Sequence, residues 1–378
     1  MKLSIYKIYA LLFIITFNGY SQSKELVLKK SFNVNDETVL NIDIDNVTVI
    51  FEESNDNKIY FDYNLVFKND SDELKYKVFK GIDANVSKEN NEINLDIKNS
   101  MLLGELYTLD VDIDIYKSLI KDYYKDKRKN EFLYKSKDSV LNEIDFSLGS
   151  SVDDFFKSQK KKHPNKNFGK SSKKFSQQFI IKMPKLLKVT IKALHSKVSF
   201  NFNIYKPLEV NSFKTYFKFK KILAKENRII ASNGIFQAEK VANGRMEFLD
   251  MNKVVIGEVS NMSIATETSK IEIGEMGENV EFNDFNSKLS FYNFKNDFNH
   301  LNFKGDYSKL YLYNVKDDNY YMNVFGQNTS LNMNDIKTTF GISENKKLDK
   351  ILDKKPKIES LNSGKIEIEL TNGILNIK

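Results

Sequence analysis

From residue 195 onward one short pattern keeps returning: a polar corner, then a strand of alternating apolar residues. It reads His195-Ser196-Lys197-Val198-Ser199-Phe200, then Phe213-Lys214-Thr215-Tyr216-Phe217, then Asn233-Gly234-Ile235-Phe236 and Asn243-Gly244-Arg245-Met246. Later copies begin at Ser269-Lys270, Ser287-Lys288, Ser308-Lys309, Thr329-Ser330 and Gly364-Lys365. The interval is 18 residues from Lys197 to Thr215, 19 on to Gly234, 18 from Lys270 to Lys288 and 21 from Lys288 to Lys309. Residues 244–262 are less regular, and a Lys-rich loop at 341–357 interrupts the series. A unit of about 20 residues with two short strands cannot bury its own apolar face, so the units must stack, as in a β-solenoid. Alternation then turns Leu289, Phe291, Leu310, Leu312, Leu331 and Met333 inward as ladders. A regular antiparallel sandwich or meander is the competing architecture.

Upstream, Val39–Ile44 and Val47–Phe51 meet at Asp45-Asn46, and Lys58–Tyr63 follows the turn Asn55-Asp56-Asn57. These are strands by alternation and by their Asn/Asp punctuation. The texture changes near residue 115. Ile115, Leu119 and Tyr123 recur at helical spacing, as do Val140, Ile144 and Leu148, while 157–176 is nearly all polar. The chain therefore divides into a leader at 1–21, an N-terminal β segment at 22–114, a partly helical basic insertion at 115–178 and a C-terminal β-repeat domain at 179–378.

The leader has Lys2 and Lys7, the apolar run Ile8–Phe17, and Gly19 and Ser21 spaced as signal peptidase reads them. Ten apolar residues are too few for a bilayer core, which takes about 20. The expectation is export to the periplasm, outer surface or medium, with a mature chain starting at Gln22 and carrying no transmembrane anchor.

The 378 residues include no Cys and only His163, His195 and His300. This excludes disulfides, thiol catalysis, acylation of a lipoprotein Cys and Cys-ligated metals. No P-loop, G-x-G-x-x-G or G-x-S-x-G is present, so no catalytic, cofactor-binding or metal residues are assigned and no cofactor is expected. Asp110, Asp112 and Asp114 alternate on one strand face, read as a solvated face and alternatively as calcium ligands. Asp250, Glu258, Glu267, Glu272, Asp284 and Asp297 read as solubilising edge residues, since no spacing singles out a catalytic pair.

Charge is local. Residues 114–188 hold 19 Lys/Arg against 9 Asp/Glu, more than the whole formal charge of +7. Lys160, Lys161, Lys162, Lys166, Lys170, Lys173 and Lys174 make a candidate anion-binding loop for lipopolysaccharide phosphates, acidic polysaccharide or anionic lipid, with a solvated linker as the plain alternative; the partners expected of the whole chain are envelope polysaccharide, lipopolysaccharide or a surface or periplasmic protein. Export and the lack of interleaved stacking aromatics argue against nucleic acid. Tyr311 and Tyr313 lie on the face opposite Leu310 and Leu312 and are candidates for a glycan-facing platform, or for cross-strand packing alone.

The strand pairs at 36–67 and 179–378, including Phe179–Pro184 leading into Leu187–Ile191 and the Ser-Lys and Asn-Gly corners, resemble one group. These are the exported bacterial β-strand-repeat proteins grouped as candidate adhesins, among them the DUF4097 and auto-transporter-adhesin-head (GIN) families. The resemblance implies a right-handed β-solenoid, an envelope location and no established catalytic residues; the basic insertion departs from the pattern. The expected function is a non-enzymatic adhesin-like or scaffold protein. The alternatives are a polysaccharide-active β-helix enzyme and a periplasmic envelope-stress accessory.

Overall fold

The computed structural model describes residues 23–67, 72–100, 107–109, 171–173, 175–315, 320–333, 336–341, 348–356 and 363–378. The fold is mainly β and solenoid-like, with parallel strands stacked in two ladders. Each coil contributes one strand to each ladder, and the apolar alternation turns inward from both to make one continuous core. The leader, the Asp110/Asp112/Asp114 strand and most of the basic insertion lie outside the described residues.

In the central coils the first ladder runs Lys188–Leu194, Leu208–Phe213, Asn227–Ser232, then the later halves of Ile235–Leu249 and Lys253–Glu267, then Val280–Phe285 and His300–Asp306. The second ladder runs Lys197–Phe200, Tyr216–Ile222, the earlier halves of the same two long strands, Lys270–Met276, Lys288–Phe294 and Lys309–Leu312. Chain order and stack order part company at both ends. The C-terminal coil, Lys365–Thr371 and Ile374–Ile377, slots between the coil at 300–312 and the coil at 321–333. Val39–Asp45 and Thr48–Glu53 likewise pair in parallel with the coil at 188–200, so the N-terminal segment is built into the same stack.

Each end of the stack is closed by antiparallel strands. Ile82–Glu89 covers Glu92–Asn99, while Lys58–Phe67 and then Ser23–Asn33 extend from Phe175–Met183. Asp349–Lys354 and Ile336–Phe340 do the same at the other end. Such strands keep a stacked ladder from offering a bare edge to another chain. The helix Asp72–Lys80 has Asp72 and Glu73 in its first turn and Lys77 and Lys80 in its last, charges that suit its dipole. It buries Val78 and ties to the N-terminal strand through Lys75–Glu25 at 3.0 Å.

The corner that recurs in sequence is a single device in space. The first-ladder strand ends on a residue in the left-handed region: Asn46, His195, Lys214, Asn233, Asp250, Thr268, Asn286, Tyr307, Asn328 or Asn372. The backbone N–H of each donates to a carbonyl of the next rung, for example His195 to Phe213 and Lys214 to Ser232, at 3.0 and 2.9 Å, except that Asn328, at the end of the stack, donates to Gly341 beside the closing strand. The residue after it is mostly buried and is Ser, Thr or Gly except at Val47 and Met251, and in several coils its hydroxyl joins the rungs. Ser196 Oγ accepts from Val47 N–H and donates to Leu194 O, and Ser269 Oγ accepts from Met251 N–H and donates to Glu267 O. Buried backbone groups at a turn need such partners, because unmet ones cost about 1–3 kcal/mol each.

Inside, Phe51, Phe200 and Phe219 stack over successive rungs, with centroids 4.1 and 5.2 Å apart. Leu289, Phe291, Leu310 and Leu312 are buried as alternation predicts, as is Leu331, while Met333 packs against the core from its margin.

Thr268 holds φ 48° at an exposed corner, a region that a β-branched residue adopts at a cost and asparagine tolerates. Thr268→Asn is expected to stabilise the fold by roughly 1 kcal/mol, read as a rise of a few degrees in Tm; an unchanged or lower Tm would contradict the strain.

Candidate binding surface

The last first-ladder residue before each corner points outward by parity, yet at several coils it is apolar. Leu194, Phe213, Leu249 and Phe285 occupy this row, and Tyr307 sits in the corner beside it; all five are exposed. Register places Leu194 and Phe213 on adjacent rungs, Ser232 next, then Leu249, Glu267 and Phe285. With rungs about 4.8 Å apart, the five steps from Leu194 to Phe285 span about 24 Å. It continues into aromatic contacts: Phe285 meets the Tyr307 ring edge-on at 6.0 Å, His195 meets Phe213 likewise at 6.0 Å, and Lys214 Nζ lies 5.1 Å from the Phe213 centroid. His195 Nδ1 is 3.1 Å from Asp45 Oδ1.

A groove of 480 Å³ opens where this row crosses the coils at 247–306 and 369–371. Leu249 and Phe285 give it an apolar floor, with Glu247, Glu267, Asp306 and Glu369 around it. Three of these carboxylates are engaged: Arg245 reaches Glu247 at 3.0 Å, Lys304 reaches Glu369 at 3.7 Å, and Asn372 Nδ2 donates to Asp306 at 3.2 Å. A second hollow of 690 Å³ lies on the end sheet beside Lys29, Tyr60 and Lys182. Its polar groups are drawn into local contacts, Tyr60 with Asp56 and Lys182 with Glu52 at 3.6 Å.

The structure corrects several sequence expectations. Asp284 is not a solubilising edge residue: its parity turns it inward, where the Thr266 and Ser308 hydroxyls and the Ser287 N–H donate to it. Gly305, the next rung's residue, leaves the room; a Cβ there would lie 2.5 Å from Ser308 Oγ. Glu272 is also buried, paired with Lys270 at 3.4 Å. Tyr313 lies on the outer face as alternation predicts but is buried, stacked on Tyr292 at 4.9 Å, and Tyr311 is half-buried. The two therefore do not form an open glycan platform. Lys160, Lys161, Lys162, Lys166, Lys170 and Lys174 lie outside the described residues, and Lys173 is seen only as a backbone partner of Tyr107. Among the described residues, no group of three or more His, Cys, Asp or Glu is placed to hold a metal ion. Nor is any helix among them long and apolar enough to cross a membrane.

No protein-family model matches the chain. No curated protein matches it either. Among solved structures, a candidate cell adhesion protein from Clostridium sporogenes is similar over 95% of this chain and 99% of that one, at 10% identity and a TM-score of 0.15.

At the opposite corner, Glu258 joins two coils by accepting from Lys240 Nζ at 2.8 Å and Lys295 Nζ at 3.0 Å. Burial works to raise its carboxyl, but the hydrogen bonds from both lysines outweigh this and hold it below the ordinary 4.5. Lys295 is raised above 10.5, chiefly by its hydrogen bond to Glu258. A depressed carboxylate stabilises the fold above its unfolded pKa and loses that contribution as pH falls through the folded value. The raised lysine loses its share only above about pH 10.5. Glu258→Gln should therefore lower Tm at pH 7 and converge with the parent as pH drops below 4.5; an equal Tm gap at pH 7 and at strongly acid pH would contradict the network.

Proposed function

We propose that this chain is a non-enzymatic, adhesin-like or scaffold protein of the bacterial cell envelope that binds partners along the outer edge of its first ladder. The observation that carries the reading is the row Leu194, Phe213, Leu249 and Phe285 with Tyr307. Single exposed apolar residues are ordinary, but a line of them held in register on a rigid stack, with Ser232 and Glu267 between, marks an interaction surface. Rigidity matters because side chains fixed by a ladder lose little entropy on binding. The leader sequence supports export. The strand-repeat pattern supports kinship with the DUF4097 and GIN candidate adhesins, whose right-handed solenoid this stack would share. Envelope polysaccharide, lipopolysaccharide or a surface protein are the partners proposed.

The test uses the mature chain and purified envelope fragments of a Gram-negative bacterium as the probe. Phe213→Ser combined with Phe285→Ser is expected to keep the parent's Tm within a few degrees, since both side chains are exposed, and to weaken sedimentation with the fragments at least about tenfold. Binding that survives both substitutions would overturn the reading, as would release of reducing sugar from the fragments by the parent chain.

A further inference from the structure

The groove that the apolar row crosses has a floor of one character and a rim of another. Register sets its outward residues on a grid. One column runs Glu247, Ala265, Asn283 and Lys304 over successive rungs, and the next runs Leu249, Glu267, Phe285 and Asp306. Ala265 has a single methyl where its column neighbours Glu247 and Asn283 have longer side chains, so the sheet face dips at that rung. In the second column Glu267 has the exposed Leu249 on one side and the exposed Phe285 on the other, each one rung of about 4.8 Å away.

Five carboxylates line the groove, and four of them are engaged. Asp284 is turned inward and takes hydrogen bonds from two hydroxyls and an amide. Glu247 pairs with Arg245, Glu369 with Lys304, and Asp306 accepts from Asn372. Glu267 alone has no ion-pair or side-chain hydrogen-bond partner among the described residues. The two cations that reach the groove, Arg245 and Lys304, are both committed elsewhere, so carboxylates outnumber them. Leu249 and Phe285 keep water from the flanks of Glu267, and a charge pair made there is screened less than one on an open surface.

We infer that this groove seats a basic side chain, Lys or Arg, presented by a protein partner, with the stem along Leu249 and Phe285 and the charged head at the Glu267 carboxylate. The inference rests on the row being a binding surface and names which of its partners the groove selects. Long basic side chains lay their methylenes on apolar surface while the head seeks charge or water, and the Phe285 ring adds a face for a cation. Lipopolysaccharide phosphate or acidic polysaccharide would instead bring negative charge to a site already rich in it. The volume of 480 Å³ falls among sites of about 300–1,000 Å³ that hold small ligands, room for one or two side chains. Glu267 is the last residue before the exposed corner at Thr268, so a segment lying across the row reaches it from the open edge.

The probes are two dye-labelled tetrapeptide amides, Leu-Lys-Leu-Lys and Leu-Glu-Leu-Glu, titrated into the mature chain with fluorescence anisotropy as the readout. The lysine peptide is expected to bind at least about tenfold more tightly than the glutamate peptide, and to weaken as salt rises to about 0.5 M. Glu267→Gln changes an exposed side chain and is expected to keep the parent's Tm while weakening the lysine peptide about tenfold. Glu267→Lys is expected to reverse the preference between the two peptides, a result that lost packing alone would not produce. Equal binding of both peptides by the parent, or binding indifferent to position 267, would overturn the inference; the row would still stand if Phe213→Ser with Phe285→Ser abolishes sedimentation with envelope fragments. Sedimentation that survives that pair would overturn the row and this inference with it.

Discussion

The corner hydrogen bond is what the rest of this molecule depends on. Where each first-ladder strand ends, one residue turns left-handed and its N–H reaches a carbonyl of the adjoining rung, from Asn46 to Leu194, from His195 to Phe213 and onward to Asn372 and Gln327. This single contact does two jobs. It satisfies a backbone donor that the turn would otherwise bury unpaired, and it fixes the rise from one coil to the next. The register of both ladders follows, and with it the superposition of Phe51 on Phe200 on Phe219. In a chain without disulfides it works together with the ladder hydrogen bonds and the stacked rings to fasten one coil to the next.

The corners also explain why the sequence could be read as far as it could. A left-handed position next to a small buried one leaves a mark, as Asn-Gly in one coil and His-Ser or Asn-Ser in others, and its recurrence gives the period. Parity between corners then separates inward from outward residues, which is why Leu289, Phe291, Leu310 and Leu312 are legible as core. Stack order is another matter. The rungs at this end share the same alternating pattern, so nothing local says that the C-terminal coil at 365–377 lies between those at 300–312 and 321–333. Long-range pairing of this kind resides in the fit between faces, with Leu370 seated beside Thr329, and not in any motif.

Parity was sufficient to mark Leu194, Phe213, Leu249 and Phe285 as misplaced apolar side chains, and that signal is visible in Ile191-Lys192-Ala193-Leu194 once the frame is known. It is easily passed over because each of the four is adjacent to a true core position. Burial on the outside of the second ladder carries no such signal. Tyr313 alternates as a solvent-facing residue should, and only the structure shows it buried and stacked on Tyr292. Asp284 reads as an edge residue for a related reason: an inward carboxylate is tolerated only because Gly305 makes space and two hydroxyls and an amide converge on it. The two outer faces thus differ: that of the first ladder carries an exposed apolar edge, while on that of the second Val255, Tyr292 and Tyr313 are buried.

Native-state hydrogen exchange resolved to single amides tests the corner column most directly. A stack held in this way predicts slow exchange at His195, Lys214, Thr268 and Tyr307, with protection close to that of core amides such as Phe217 and Ile271, even though the side chains of the first group lie near the surface. Corner amides that exchange at the rate of open loops, while the ladder amides on either side stay protected, would contradict it.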